Sequence, residues 1–258
     1  MDTSVQQKKL YAAIMNLRIA FEDYANIEGN VKINALSNIL RLSAPQIIRN
    51  GGRITRISEE GIASVFENGT EDAIQTALEF FGNASRCLSS TEIDTLSIGI
   101  HAGDVYIAEL NYNDRIFPVA MSEGIRLSRY LSDIAVRYES KILITKTASG
   151  SVRSFENRFS SRKLGIVHSK ATGEDELIYD IFDSDPTDLK YRKKRSRLVF
   201  ETGVSLFLQE KYLQSRSYFI ELLKFDRNDS TAKKYIFMCD NALSKKGAHV
   251  NNKYLEIW

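Results

Sequence analysis

Apolar positions along the first two thirds of the chain switch between two periods. From Leu10 to Phe21, Tyr11, Ile14, Leu17, Ile19 and Phe21 stand among small residues, a length and content that suit a buried strand. Asn30 is placed to cap a helix beginning at Val31, with Ala35, Leu36, Ile39, Leu40 and Ile47 on one face. Pro45 should kink this helix, and Asn50-Gly51-Gly52 should end it. Two short β-rich runs then flank Glu59-Glu60-Gly61 and predict a tight hairpin. Thr70-Glu71-Asp72 opens a second helix that carries Ala73, Ile74, Ala77, Leu78 and Phe81 at helical spacing. Leu96 to Ile100 and Val105 to Leu110 read as two strands joined through His101-Ala102-Gly103-Asp104. A third helix runs from about Ser122 to Val136, and Lys141 to Thr145 is a compact β-branched strand. This alternation predicts an α/β or α+β layered domain.

The pattern changes after Asp183-Ser184-Asp185-Pro186. A basic run, Lys190 to Arg197, reads as a solvated linker over 185–197, and a helical segment follows over 198–245. Turns are expected at Gln209-Glu210-Lys211 and Asp226-Arg227-Asn228-Asp229. Gly203, Leu206, Ser215, Phe219 and Leu222 fall at the spacings of one tetratricopeptide repeat, with Arg227 in place of its usual closing proline. A lone repeat cannot bury its own face. It should therefore pack on the first domain, on a further helix starting near Ser230, or on a neighbouring chain, and it offers a possible docking point for a protein partner.

Composition narrows the function classes. A net charge of +2 supplies no broad excess of Lys and Arg to neutralise phosphates, which argues against nucleic acid as the main partner. Cys87 and Cys239 are the two cysteines, far apart and without a nearby second ligand. That excludes a disulfide framework or a zinc site and suits a reducing cytoplasm. No apolar run approaches the roughly 18 residues that a spanning helix needs, and the N-terminus has no signal-peptide pattern. The chain reads as soluble, though it could be the cytoplasmic end of a longer receptor.

The hairpin motif, Gly51-Gly52-Arg53-Ile54-Thr55-Arg56-Ile57-Ser58-Glu59-Glu60-Gly61 running to Val65-Phe66, resembles the metal-carboxylate hairpin of class III adenylyl/guanylyl cyclases. Further stretches resemble that family in order. Tyr11 to Phe21 matches its first strand, Ile98 to Val105 its Gly-Ile-His-Thr-Gly-Glu segment, and Ser122 to Leu131 its late helix. Lys141 to Thr145 matches a late strand, and Arg162-Lys163-Leu164-Gly165 through Tyr179 the closing hairpin. The resemblance covers residues 8–184. It implies an α+β, ferredoxin-like cyclase domain, a mostly antiparallel central sheet with flanking helices, followed here by a small α-helical tail such as some bacterial members carry. It also implies a head-to-tail homodimer whose sites lie at the subunit interface.

In that family one subunit supplies two Asp residues that hold two divalent ions on the triphosphate. Its partner supplies a Lys and a polar residue for the base, and an Asn and an Arg for the ribose and the transition state. Metal activates the attacking 3′-hydroxyl and screens charge, while the cation meets the developing anion. The resemblance places Asn16 and Glu60 at the two metal positions, with Glu59 where a glycine is usual. Arg126 and Tyr130 stand at the transition-state Asn and Arg, Phe117-Pro118 near the base-reading position, and Arg56 at the base-reading Lys. Arg56 and Glu60 keep the charge of their counterparts, and the other positions do not. No cofactor is therefore expected, with Mg or Mn required if the chain is an enzyme.

Other candidates have plainer readings. His101 is expected to serve packing rather than acid–base chemistry. Asp104 and Glu123 could form a carboxylate pair but suit turn and cap roles. Arg126 and Arg129 could hold an anion, and Glu59-Glu60 could hold an ion with Asn16. Three functions follow: a catalytically degenerate cyclase-like module for signalling or dimerisation, an active divergent nucleotidyl cyclase acting on ATP or GTP, or a nucleotide-binding sensor without turnover. The apolar run Ile116 to Met121 is expected at or near a homodimer contact.

Overall fold

The computed structural model describes residues 6–21, 25–87, 93–112, 115–169, 173–244 and 254–257. The chain divides into two compact units. The first comprises residues 1–136 and 142–153, the second residues 137–141 and 154–258.

The first unit is a sheet with helices. Its elements are β1 (Gln6–Ala20), α1 (Gly29–Arg49), β2 (Gly52–Ser58), β3 (Gly61–Phe66), α2 (Thr70–Cys87), β4 (Thr95–Tyr112), β5 (Arg115–Met121), α3 (Glu123–Arg137), β6 (Ile142–Thr145) and α4 (Lys146–Gly150). The strand order is β2-β3-β1-β4-β6, with β5 pairing β4. All these pairings are antiparallel except the parallel β4–β6 ladder. Ala12, Ala13, Ile14, Met15 and Leu17 of β1 are each at most 2% exposed, so the middle of this strand is covered on both faces.

Two sequence expectations change here. The strands expected over 96–100 and 105–110 are one continuous strand, β4. The long β1 pairs with it throughout, through Ala13↔Ala102, Ala12↔Gly103 and Tyr11↔Asp104, so the ladder leaves no turn at Gly103-Asp104. Helix α1 starts two residues earlier than expected. Its N-cap is Glu28, which makes no side-chain cap bond, while Asn30 accepts only from the N–H of adjoining Val31 at 2.7 Å.

One glycine sets how closely helix and sheet approach. A Cβ on Gly99 would lie 2.0 Å from the Ser128 carbonyl oxygen, so α3 rests directly on the β4 backbone. Ser97 Oγ then donates to the Ser132 carbonyl at 2.8 Å, and both serines are buried. This contact carries α3 over Asn16, which pairs with Gly99 across the β1–β4 ladder.

The second unit contains α5 (Phe155–Arg158), β7 (Ser161–His168), β8 (Asp175–Ile181), α6 (Thr187–Leu208), α7 (Tyr212–Phe225), α8 (Ser230–Ser244) and β9 (Glu256–Ile257). β7 pairs β8 antiparallel and β9 parallel. The basic run 190–197 is helical rather than a linker strand of solvated chain, because it lies inside α6 with Lys193 and Ser196 buried. A Cβ on Gly203 would meet the Phe219 ring at 2.9 Å, and Ser215 Oγ donates to the Gly203 carbonyl at 2.8 Å, so α6 and α7 cross closely. The apolar face of this pair is covered by α8. Tyr235 stacks on Phe219 with ring centroids 4.6 Å apart, and its hydroxyl donates to the Leu164 carbonyl of β7.

A buried ion cluster ties these helices to the hairpin. Arg162 on β7 donates to Asp180 on β8 at 3.1 Å and to Asp229, ahead of α8, at 2.8 Å. Lys193 on α6 donates to the same Asp180 at 3.0 Å and to Asp185 at 2.7 Å. Burial alone would raise the Asp180 carboxyl, but Lys193 and Arg162 outweigh it and hold the group ionised below the usual range. The Arg162 guanidinium also lies 4.1 Å from the centre of the Phe200 ring.

Candidate functional site

The β2–β3 turn, the middle of β1 and the first turns of α3 converge in the first unit. Asn16, Arg56, Ser58, Glu60, Ile125 and Arg129 line a cleft there of about 20 Å³, room for roughly one water molecule. Gly61 fixes its shape: φ is +135°, and a Cβ would lie 1.9 Å from the Leu17 carbonyl oxygen, so the turn closes tightly onto β1. Ile19 N–H donates to the Glu60 carbonyl at 3.1 Å and holds the hairpin tip beside the strand.

The electrostatics of the cleft are set by one pair. The Arg129 guanidinium donates to the Glu60 carboxylate, with the two side chains 41% and 37% exposed. Asn16 Oδ1 lies 3.3 Å from Ser132 Oγ, whose single proton is given to the Arg129 carbonyl at 2.6 Å. Glu60 is thus already matched by an internal cation, and the Asn16 oxygen is that of a neutral amide. A pair of hard divalent cations needs several anionic oxygens and space for retained water. This donor set and this volume do not fit such a pair. Among the described residues no group of three or more His, Cys, Asp or Glu side chains could hold a metal ion.

The structure brings Asn16, Arg56, Glu60 and Arg129 together on one cleft, and Arg126 and Tyr130 are not on its lining. Arg126 is exposed on α3 and lies 3.3 Å from Glu123, one turn away on the same helix. Tyr130 is half-buried on α3. The backbone of Phe117 and Pro118 belongs to β5, paired with Leu110 and Glu109, but their side chains, like that of Cys87, lie outside the described residues.

Sequence reasoning raised Arg129 as an anion binder and missed its bond to Glu60. The two residues are 69 positions apart and no local spacing couples them. The signal in the sequence was a basic residue at position 129, on the helix matched to the family's late helix.

The remaining candidates take structural roles. His101 Nδ1 lies 3.1 Å from Thr145 Oγ1, and that oxygen accepts from the Ala148 N–H at 3.1 Å. The Thr145 hydroxyl thus bonds both the His101 ring and the start of α4. Burial lowers the His101 pKa to about 4. Asp104 pairs with Lys9 at 2.7 Å and Glu123 with Arg126, so the two acids answer separate cations rather than one another.

No family profile matches the chain. The adenylate cyclase, terminal-differentiation specific, of Dictyostelium discoideum is 24% identical over 217 residues, covering 80% of this chain and 10% of that protein. This chain therefore spans about a tenth of that relative's length. A bacterial light-regulated adenylyl cyclase superposes with a TM-score of 0.60 at 12% identity, over 74% of this chain and 57% of that one. The dimeric guanylyl cyclase domain of the RhoGC fusion protein from the aquatic fungus Blastocladiella emersonii superposes at 0.52 and 12% identity, over 68% and 97%. In its sequence the chain resembles the class III adenylyl/guanylyl cyclases, and it carries the α+β fold of their cyclase domain.

Proposed function

We propose that this chain is a catalytically degenerate cyclase-like protein, with residues 8–184 kept as a signalling or dimerisation module and a tetratricopeptide-like tail over 198–245. The observation that carries the reading is the Arg129–Glu60 pair in the cleft that Asn16 shares. The position where cyclase chemistry calls for a metal-bound carboxylate instead carries a carboxylate committed to an arginine, beside an amide where a second carboxylate would be needed.

The test is product formation. The purified chain is incubated with ATP or GTP and magnesium or manganese, and cyclic nucleotide is read by mass spectrometry. No product above the protein-free control is expected, since losing one transition-state donor commonly costs about two to three orders of magnitude in rate. Product that scales with protein and disappears in Glu60→Gln would overturn the reading and revive an active divergent cyclase. Nucleotide binding without product would assign the sensor reading instead.

A homodimer belongs to the same proposal. Lys9, Tyr11, Asp104, Tyr106 and Met121 share one face of the sheet, through the register Tyr11↔Asp104, Lys9↔Tyr106 and Tyr106↔Met121. Tyr11, Tyr106 and Met121 on it are 56%, 51% and 65% exposed, a surface suited to association. Met121 closes the apolar run that the sequence singles out. A cytoplasmic setting accompanies the reading, supported by a buried and unpaired Cys239.

A further inference from the structure

Helix α6 turns an unusual set of side chains outward. Tyr191, Arg195 and Leu198 recur at i, i+4 and i+7, the spacing of a single helical face. Tyr191 and Leu198 are 62% and 77% exposed. Phe225, at the end of α7, is 65% exposed, and the Arg195 guanidinium lies 6.0 Å from the centre of its ring. Tyr191, Arg192, Arg195, Val199, Phe225 and Asp226, the last with its carboxylate paired with Arg192, line a groove of about 290 Å³. That is the lower end of ligand-pocket size, enough for one large side chain and too small for a whole cofactor.

The charges of α6 divide into two groups. Lys190 pairs with Asp183 at 2.6 Å, Arg192 with Asp226 at 3.0 Å, Lys193 with Asp180 and Asp185, and Arg197 with Glu201 at 3.1 Å. Lys194 and Arg195 are exposed and have no carboxylate partner among the described residues. Arg195 is therefore the open cation at the groove. Its guanidinium lies within cation–π range of the Phe225 ring, 6.0 Å from the ring centre.

We infer that this groove docks an acidic peptide segment of a partner protein. The segment seats one large apolar side chain between Tyr191 and Phe225 and places a carboxylate on Arg195. A planar guanidinium can bind a carboxylate with two N–H bonds, and a helix face beside an apolar groove is a common peptide-recognition surface. Two open cations on a chain of net charge +2 do not make the broad basic track that a nucleic acid requires. The inference deepens, and rests on, the reading of the helical tail as a partner-facing module. Its failure is separable from failure of the non-catalytic reading, which product formation decides.

The experiment uses the full chain, immobilised and panned against a displayed library of random twelve-residue peptides, with counter-selection on Arg195→Glu. Enriched peptides are expected to carry two or more Asp or Glu close to a Trp, Phe or Leu. Their affinity, read by fluorescence anisotropy, should fall about ten-fold or more with Arg195→Glu and with Phe225→Ser. Arg53→Glu, an exposed change on β2, should leave affinity unaltered. All three variants should keep the wild-type melting temperature, because the altered side chains are exposed. Absence of enrichment, or enriched peptides that bind Arg195→Glu as well as the wild type, would overturn the proposal. So would binding to phosphatidylserine vesicles that Arg195→Glu abolishes, which assigns the groove to a lipid surface. A fall in mass by light scattering in Phe225→Glu would also overturn it, by assigning the groove to a second copy of the chain.

Discussion

The guanidinium of Arg129 on α3 donates to the carboxylate of Glu60 at the tip of the β2–β3 hairpin. Both side chains are more than a third exposed, so the pair contributes little to stability, about 0–1 kcal/mol. Its consequence is electrostatic: Glu60 faces its cleft already neutralised.

Removing the internal cation and restoring the missing carboxylate should therefore create metal affinity. Manganese titrations followed by electron paramagnetic resonance should show no bound ion with the wild-type chain. The double variant Asn16→Asp, Arg129→Ala should capture manganese at the same concentrations. Equal binding by the two proteins would show that Arg129 does not guard Glu60. The single variant Arg129→Ala should change unfolding free energy by less than about 1 kcal/mol.

The pH dependence of stability follows from His101. Its folded pKa is lowered to about 4 by burial, below the unfolded value near 6.5, so the unfolded chain binds the proton more readily. The associated stability is present above about pH 6.5 and is lost as pH falls toward 4. The full loss is about 3 kcal/mol. Urea unfolding at pH 7 and pH 5 should show about 2 kcal/mol of it, and His101→Gln should flatten the slope in that window. An unchanged slope in the variant would place the acid sensitivity elsewhere.

Gly99 offers a packing test. An added methyl would meet the Ser128 carbonyl at 2.0 Å, the Leu131 Cβ at 2.7 Å and the Ser132 nitrogen at 2.7 Å, two of them backbone atoms that cannot rotate away. Gly99→Ala should lower stability by about 1–3 kcal/mol as α3 is pushed off β4. Gly82→Ala, where nothing lies within 4 Å, serves as the control and should be neutral or slightly stabilising. Matched losses at both glycines would count against the close-approach argument.

Association should depend on the exposed aromatic face of the sheet. Light scattering at tens of micromolar is expected to give a dimer mass. The double variant Tyr106→Glu, Met121→Glu should give a monomer with an unchanged circular dichroism spectrum, since the two residues are 51% and 65% exposed. A wild-type monomer, or a variant that remains dimeric, would remove this face from consideration.

The elements with a strong period were legible in the sequence, and so was the family resemblance. Helix α3, strand β6 and the β2–β3 hairpin lie within a residue or two of where apolar spacing and turn residues put them, and the β7–β8 hairpin lies where the family resemblance put it. What escaped depends on partners distant in the chain. Gly103-Asp104 looks like a turn by itself, and only pairing with Ala12 and Tyr11 makes it strand. Lys190 to Arg197 looks solvated by composition, yet Asp180, Asp183, Asp185, Asp226 and Glu201 draw four of its basic residues into ion pairs. At the site, alignment of motifs brought out Asn16 and Glu60, and the cleft joins them. The residue that neutralises Glu60 lies 69 positions away on α3, and only the fold brings the two side chains together.

The cluster of Arg162, Asp180, Lys193, Asp185 and Asp229 has a mechanical corollary. Its two cations and three carboxylates come from β7, β8, the turn beyond β8, α6 and the residue before α8, all within the second unit. Parting the helices from the hairpin leaves buried charges without partners, at about 3–5 kcal/mol for each partner lost. A partner that grips α6 at Lys193 is therefore coupled to the β7–β8 hairpin through Asp180.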